Sequence, residues 1–165
     1  MRLALVVTSD SVFAGKRRDE VTELVRSRAE FELVSSVVVP NRLGEIRAAV
    51  LSAAQQAEVV LVTGGTGLSP RDMSIEAVEG IARKRVPGLG EEHRRRSYSL
   101  IGPRALGSRA EGYVVGNALV FVSPGSPNAV SLSLDILAEA AEHLVEEIRG
   151  TAHGRGDEGR GQRKG

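Results

Sequence analysis

Residues 62–72 read V-T-G-G-T-G-L-S-P-R-D, placing three glycines and an aspartate directly behind the apolar run Val59 to Val62. A short run that is apolar at every position, rather than at alternate ones, is expected of a strand buried on both faces of a sheet. The glycines that follow permit positive φ angles and let backbone N–H groups approach an anion closely, and Thr66 adds a hydroxyl. Two readings stand: a tight turn from strand to helix, or a phosphate cradle with an acid at its rim. The loop is neither a Walker A motif, since no Gly-Lys-Ser/Thr follows, nor the Gly-x-Gly-x-x-Gly dinucleotide pattern.

Outward from this loop, the chain alternates between strand and helix patterns. Leu3 to Val7 is a second continuous apolar run, ended by Thr8-Ser9-Asp10-Ser11. Val21, Leu24 and Val25 give one apolar helical face, extending to about Arg28-Ala29, and Phe31 to Val39 reads as a β-branched strand that exits at Pro40-Asn41. Leu43, Ile46, Val50, Ala53, Ala54 and Ala57 mark a second amphipathic helix. Beyond the glycine loop, Ser74 is the expected N-cap of a helix running to about Arg83, with Glu76 in its first turn and Pro87-Gly88 past its end. Glu91 to Tyr98 reads as helix, with Arg94-Arg95-Arg96 on a solvated face. Gly116-Asn117, between Tyr113–Val115 and Ala118–Val122, is a two-residue hairpin signal, so one antiparallel pair joins the sheet. A tight loop, Ser123-Pro124-Gly125-Ser126-Pro127, then leads into a long helix whose inner face is read as Ala129, Leu132, Ile136, Leu137, Ala140 and Leu144.

The pattern predicts a three-layer α/β/α sandwich with a mostly parallel mixed sheet and one antiparallel hairpin, as a single domain over residues 1–150. Residues 151–165 lose their apolar side chains and read as a flexible Gly/Arg-rich tail. Its Arg155-Gly156-Asp157 is too short a match to inform. In this fold class ligands are expected beyond the carboxyl ends of the strands.

Composition narrows the function classes. There are 22 Lys plus Arg against 21 Asp plus Glu, a formal charge of +1, so no global field argues for nucleic acid or an anionic membrane. The absence of cysteine removes disulfides, thiolate nucleophiles and iron–sulfur clusters. His93, His143 and His153 show no metal-ligand spacing. No run approaches the roughly 18 apolar residues of a membrane span, and the short apolar start reads as a strand rather than a leader, so a cytoplasmic protein is expected.

Several candidate residues share one predicted edge. Asp72 can hold a hydrated Mg²⁺, which uses one or two carboxylates together with substrate phosphates, or it can fix the turn through local backbone hydrogen bonds. Thr8-Ser9-Asp10-Ser11 and Pro124-Gly125-Ser126-Pro127 open on the same side as Gly64-Gly65-Thr66-Gly67 if their strands run parallel. Ser126 has no nearby histidine and no Gly-x-Ser-x-Gly elbow, which argues against a serine hydrolase.

Taken together, T-S-D-S at 8–11, T-G-G-T-G at 63–67, R-D at 71–72, G-L-G-E at 88–91, S-R-A at 108–110 and P-G-S-P at 124–127 resemble the MoaB/Mog family of molybdenum cofactor biosynthesis. Gephyrin's pterin-binding domain uses the same fold. The resemblance covers roughly residues 1–148 and implies a molybdopterin adenylyltransferase, in which Mg²⁺ and ATP serve to place AMP on the terminal phosphate of molybdopterin. It also implies a homo-oligomer, typically a trimer, and hand-off to a molybdenum-insertion protein. On the family pattern Asp72 is the catalytic, metal-organising acid, while Ser9, Asp10, Ser11, Gly64, Gly65, Thr66 and Gly67 hold pterin or nucleotide. Ser108, Arg109, Pro124, Gly125, Ser126 and Pro127 close the pocket. The chain departs from the pattern at Asn41, where family members with the activity carry Asp. It departs again at Val21, which replaces a glycine, and at His93, which replaces an aromatic. These departures keep a second reading open, a non-catalytic molybdopterin-binding homologue or scaffold.

Overall fold

The structure, a computed structural model, describes residues 1–151. The expected tail therefore lies outside the described residues, apart from Thr151. Six strands form one sheet in the order β2-β1-β3-β6-β5-β4: β1 Arg2–Thr8, β2 Glu32–Val39, β3 Val59–Thr63, β4 Lys84–Val86, β5 Glu111–Val115 and β6 Ala118–Ser123. β1 pairs in parallel with β2 and β3, and β3 with β6, whereas β5 is antiparallel to both of its neighbours. β5 thus runs against the rest of this sheet, joined to β6 through Gly116, which has φ 58°.

Alternation along the central strands assigns the layers. Leu3, Leu5, Val7, Val59, Leu61, Leu119 and Phe121 face one side, where they pack with α2 (Thr22–Arg26), α5 (Pro87–Ile101) and α6 (Pro127–Ile148). Ala4, Val6, Val60, Val62, Val120 and Val122 face the other side and pack with α3 (Leu43–Gln56) and α4 (Ser74–Glu79). All of these strand residues are buried, as continuous apolar runs require. The result is the expected α/β/α sandwich. A short helix α1 (Asp10–Phe13) and a 3-10 turn at Gly102–Gly107 complete the described elements.

Local expectations change at five places. α4 ends at Glu79, with Gly80 as its C-cap, rather than near Arg83. Ser74 is the first residue of α4 rather than its cap; Met73 holds the cap position without a side-chain hydrogen bond. Pro87 opens α5 instead of following a helix, as its missing N–H and fixed φ suit a first helical position. The buried stripe of α6 is Val130, Ser133, Leu134, Ile136, Leu137, Ala141 and Val145, rotated from the predicted face and shared with it only at Ile136 and Leu137. Arg94, read as solvated, is partly buried and donates to the Ser108 and Ala110 carbonyls.

Candidate functional site

The parallel strands bring four exits to one edge of the sheet. The register pairs Thr8 with Val39, Val7 with Thr63, and Thr63 with Ser123, so the ends of β1, β2, β3 and β6 are level. The chain leaves β1 toward β2 on one side and reaches β3 on the other, which makes the β1/β3 junction a topological switch point where loops diverge and leave a crevice.

The glycine loop is pressed against both neighbouring exits. Gly64 and Gly65 have φ of 91° and 70°, in the left-handed region. A Cβ on Gly64 would lie 2.2 Å from the Thr8 carbonyl oxygen, and one on Gly65 would lie 2.3 Å from Ser74 Oγ. Neither position admits a side chain. The Gly64 N–H donates to the Ser123 carbonyl at 2.9 Å, the Ser74 N–H donates to the Gly65 carbonyl at 3.1 Å, and a Cβ on Gly125 would meet Gly64 Cα at 3.1 Å. The loops after β3 and β6 therefore touch through backbone.

The flanking exits present hydroxyls and a helix terminus. Ser9 Oγ accepts the Val12 N–H and lies 3.2 Å from Ser11 Oγ, while Asp10 Oδ1 accepts the Asn41 N–H at 2.8 Å. Asn41 Oδ1 in turn accepts the Met73 N–H at 3.2 Å, so one polar chain joins the ends of β1 and β2 to the start of α4. Ser126 caps α6, its Oγ accepting the Ala129 N–H, with Pro127 at the first helical position. The positive end of this 22-residue helix thus meets the crevice. Behind it, buried Ser133 donates to Ser123 Oγ at 2.6 Å, and Ser123 donates to the Pro124 carbonyl, fixing the 124–126 loop to the β6 end.

A cavity of about 330 Å³ lies between these loops, lined by Thr8, Ser9, Thr63, Gly64, Gly125, Ser126 and Pro127 and closed by Arg17, Arg18, Asp19 and Glu20. Sequence reading did not single out Arg17 and Arg18; the adjacent basic pair between two short helices was the available signal. Burial alone would raise the pKa of Asp19, but hydrogen bonds from the Thr22 hydroxyl and from the Thr22 and Val21 N–H groups outweigh it and lower the pKa. Asp19 is therefore ionised at the rim. Three buried hydroxyls, Thr8 Oγ1, Thr63 Oγ1 and Ser74 Oγ, have no hydrogen-bond partner among the described residues. Each belongs to this edge, and an unmet buried hydroxyl costs roughly 1–3 kcal/mol.

Of the expected site residues, Asp10, Ser11, Gly65, Thr66, Gly67, Asp72, Ser108, Arg109 and Pro124 do not line that cavity; Asp72 lies on the outer half of the glycine loop, and Ser108 and Arg109 lie between the 3-10 turn and β5, with Arg109 bonded to that loop. Asp72 Oδ2 accepts the Ser69 N–H at 3.1 Å and faces Gly67, where a Cβ would lie 2.7 Å from it. Arg109 donates from its backbone to the Thr66 carbonyl, from Nε to the Gly67 carbonyl at 3.0 Å and from Nη2 to the Asp72 carbonyl, and it pairs with Glu76. That guanidinium holds the Glu76 carboxyl below its usual range. Arg109 thus fastens the loop, and Ser108 Oγ accepts the Ala110 N–H.

His93 is 1% exposed in α5, edge-on to Phe121 with ring centroids 5.9 Å apart. It occupies a core position suited to an aromatic ring, with Nε2 3.1 Å from the Ala129 carbonyl and Nδ1 3.3 Å from Ser97 Oγ.

Residues 4–143 match the family described as "Probable molybdopterin binding domain". Molybdenum cofactor biosynthesis protein B of Bacillus subtilis (strain 168) is 44% identical over 98 residues, 58% of this chain and 57% of that protein, so the matched stretch spans little more than half of the relative. Among solved structures, the tungsten cofactor synthesizing protein MoaB from Pyrococcus furiosus is 30% identical with a TM-score of 0.82, covering 90% of this chain and 96% of that one. The molybdopterin biosynthesis enzyme MoaB of Thermus thermophilus gives 30% identity and a TM-score of 0.78, covering 90% of this chain and 96% of that one. The family match spans the crevice and every loop around it, and on that ground the chain belongs to the MoaB/Mog family of molybdopterin-binding-domain proteins.

Proposed function

We propose that this crevice binds molybdopterin and ATP and transfers AMP to the terminal phosphate of the pterin, a step of molybdenum cofactor biosynthesis. The observation that carries the reading is the convergence, at one edge, of the N–H-bearing glycine loop, the α6 N-terminus and three buried hydroxyls without partners among the described residues. The names borne by the Bacillus subtilis and Thermus thermophilus relatives support the pathway.

In the transfer, a phosphate oxygen of the pterin attacks the α-phosphorus of ATP, the bond to the bridging β-phosphate oxygen breaks, and pyrophosphate leaves. Such chemistry asks a protein mainly to align two anions and meet the charge that develops. The N–H groups of residues 65–67 and the first turn of α6 supply fixed dipoles, and Arg17 and Arg18 supply positive charge at the rim. Ser9, Ser11 and Ser126 supply hydroxyls that set orientation.

Among the described residues no group of three or more His, Asp or Glu side chains could hold a metal. The donor set therefore suits Mg²⁺ carried by substrate phosphates, which needs only one or two protein carboxylates. Asp72, beside Gly67 on the loop, is the residue that would hold it. When bound, Mg²⁺ neutralises phosphate charge. The adenylylated product then passes to a metal-insertion protein.

Asn41 favours a second reading. It stands where active family members carry Asp, and its amide is engaged by Met73, so a binding homologue without fast transfer is the alternative. Chromatographic detection of adenylylated molybdopterin and pyrophosphate separates the two. Mg²⁺-dependent product from the full chain, reduced at least about 100-fold in Asp72→Asn, is expected on the scale of lost transition-state charge stabilisation. Tight pterin binding without product would favour the scaffold.

A further inference from the structure

Ser97, His93, Ser133 and Ser123 are buried polar side chains that run in one line from α5 through α6 to the end of β6, and the transfer proposed above does not use them. Proton count fixes their donor directions, because a hydroxyl carries one proton and a neutral imidazole carries one. His93 Nε2 faces the Ala129 carbonyl at 3.1 Å, and a carbonyl only accepts, so Nε2 bears the hydrogen. Nδ1 then accepts from Ser97 Oγ at 3.3 Å.

Ser133 is the branch point. Its Oγ lies 2.6 Å from Ser123 Oγ and 3.0 Å from the Ala129 carbonyl, and its single proton serves one of them. Turned to Ser123, it leaves the Ser123 proton for the Pro124 carbonyl, 3.0 Å away. Turned back along the helix to Ala129, a common habit of helical serines, it becomes the acceptor for Ser123, and Pro124 loses its donor. The Ala129 carbonyl has two lone pairs; the Ser133 N–H takes one along α6, and His93 takes the other. A donor at position 93 thus selects the first arrangement.

We propose that His93 is a positioning residue for the Pro124–Gly125 peptide, acting through Ala129 and Ser133. The peptide is trans, so holding the Pro124 carbonyl against Ser123 turns the Gly125 N–H the opposite way. That N–H has no acceptor among the described residues, and Gly125 lines the crevice beside Gly64 and Ser126. His93 therefore orients one more donor for a bound phosphate, and this rests on the crevice taking phosphorylated ligands. A phenylalanine at position 93 fills the same space against Phe121 but leaves the Ala129 carbonyl open to the Ser133 hydroxyl.

The test is carbon-13 NMR of the Pro124 carbonyl in the ligand-free full chain, with the ATP dissociation constant measured beside it by calorimetry. A carbonyl that loses a hydrogen bond moves upfield, so His93→Phe is expected to shift Pro124 upfield and to weaken ATP binding about 3- to 10-fold, the scale of one hydrogen bond. The double variant His93→Phe/Ser133→Ala is expected to regain the wild-type shift and affinity, since no hydroxyl is left to compete for the Ser123 proton. His93→Gln, which retains a donor but not the ring, is expected to lose stability and to keep both. A merely structural role gives the reverse order, with the double variant the worst of the set. An unmoved Pro124 carbonyl in His93→Phe, or a double variant displaced as far as the single one, overturns the proposal. Should the glutamine variant not fold, the double variant decides alone. Should wild type bind no ATP, the crevice reading fails, while the Pro124 carbonyl still decides whether His93 orients the peptide.

Discussion

Gly65 shows how one residue sets the site. Its φ of 70° and the 2.3 Å approach of a virtual Cβ to Ser74 Oγ leave no room for alanine. Gly65→Ala should cost more than about 1 kcal/mol in urea unfolding, the strain expected of a non-glycine residue forced to positive φ beside a clash, and should abolish pterin binding. Its glycine was plain in the sequence; the reason was not, because Ser74 lies nine positions away and meets it only through the β3–α4 turn. Asn41 was legible as a departure, and its bond to the Met73 N–H gives it a local role that a carboxylate oxygen can also fill. Asn41→Asp should therefore fold normally, and a rise in turnover would identify the missing acid as limiting. His93 makes stability depend on pH. Burial lowers its pKa, the Ala129 carbonyl partly opposes this, and the Arg94 charge adds to the lowering. The unfolded chain takes up the proton near the ordinary value of about 6.5. The contribution is thus complete above that pH and is lost as pH falls toward the lower folded value. The urea midpoint should fall between pH 7.5 and 5.5, and His93→Phe should flatten that dependence.

At the scale of elements, buried strands were readable and element ends were not. The continuous runs Leu3–Val7 and Val59–Val62 have one sensible placement, with both faces covered. β4, by contrast, is Lys84-Arg85-Val86, a three-residue edge strand whose pairing with β5 sets it, and no local pattern announces it. Basic residues on such an edge discourage further pairing. Pro87 was misread because proline both follows helices and begins them. In α6 apolar residues occur on adjacent faces, so Val130, Leu134, Ala141 and Val145 compete with Ala129, Leu132, Ala140 and Leu144 for the inner stripe, and buried Ser133, which donates to Ser123, is polar and adds nothing to an apolar count. The α6 N-terminus carries its own prediction. Ser126→Ala removes the acceptor of the Ala129 N–H and should lower stability by about 1 kcal/mol, or ~3 °C in Tm by thermal unfolding, while weakening anion binding.

Across the whole molecule, topology makes the separate loops one site. Parallel β1, β3 and β6 send T-S-D-S, T-G-G-T-G and P-G-S-P to the same edge, an arrangement the sequence order alone implied once the strands were taken as parallel. What it did not imply was the division of that edge into an inner cavity at Thr63, Gly64 and Ser126 and an outer loop half held by Arg109, since that depends on side-chain bonds between distant segments. The central claim is that this edge holds phosphorylated ligands. It is tested most directly by a crystal structure of the full chain with Mg²⁺ and a non-hydrolysable ATP analogue. Phosphate oxygens should lie within hydrogen-bond distance, about 3 Å, of the N–H groups of residues 65–67, with the Asp72 carboxylate on the ion. Nucleotide bound away from that loop, or with Asp72 still turned only to Ser69, would contradict the account.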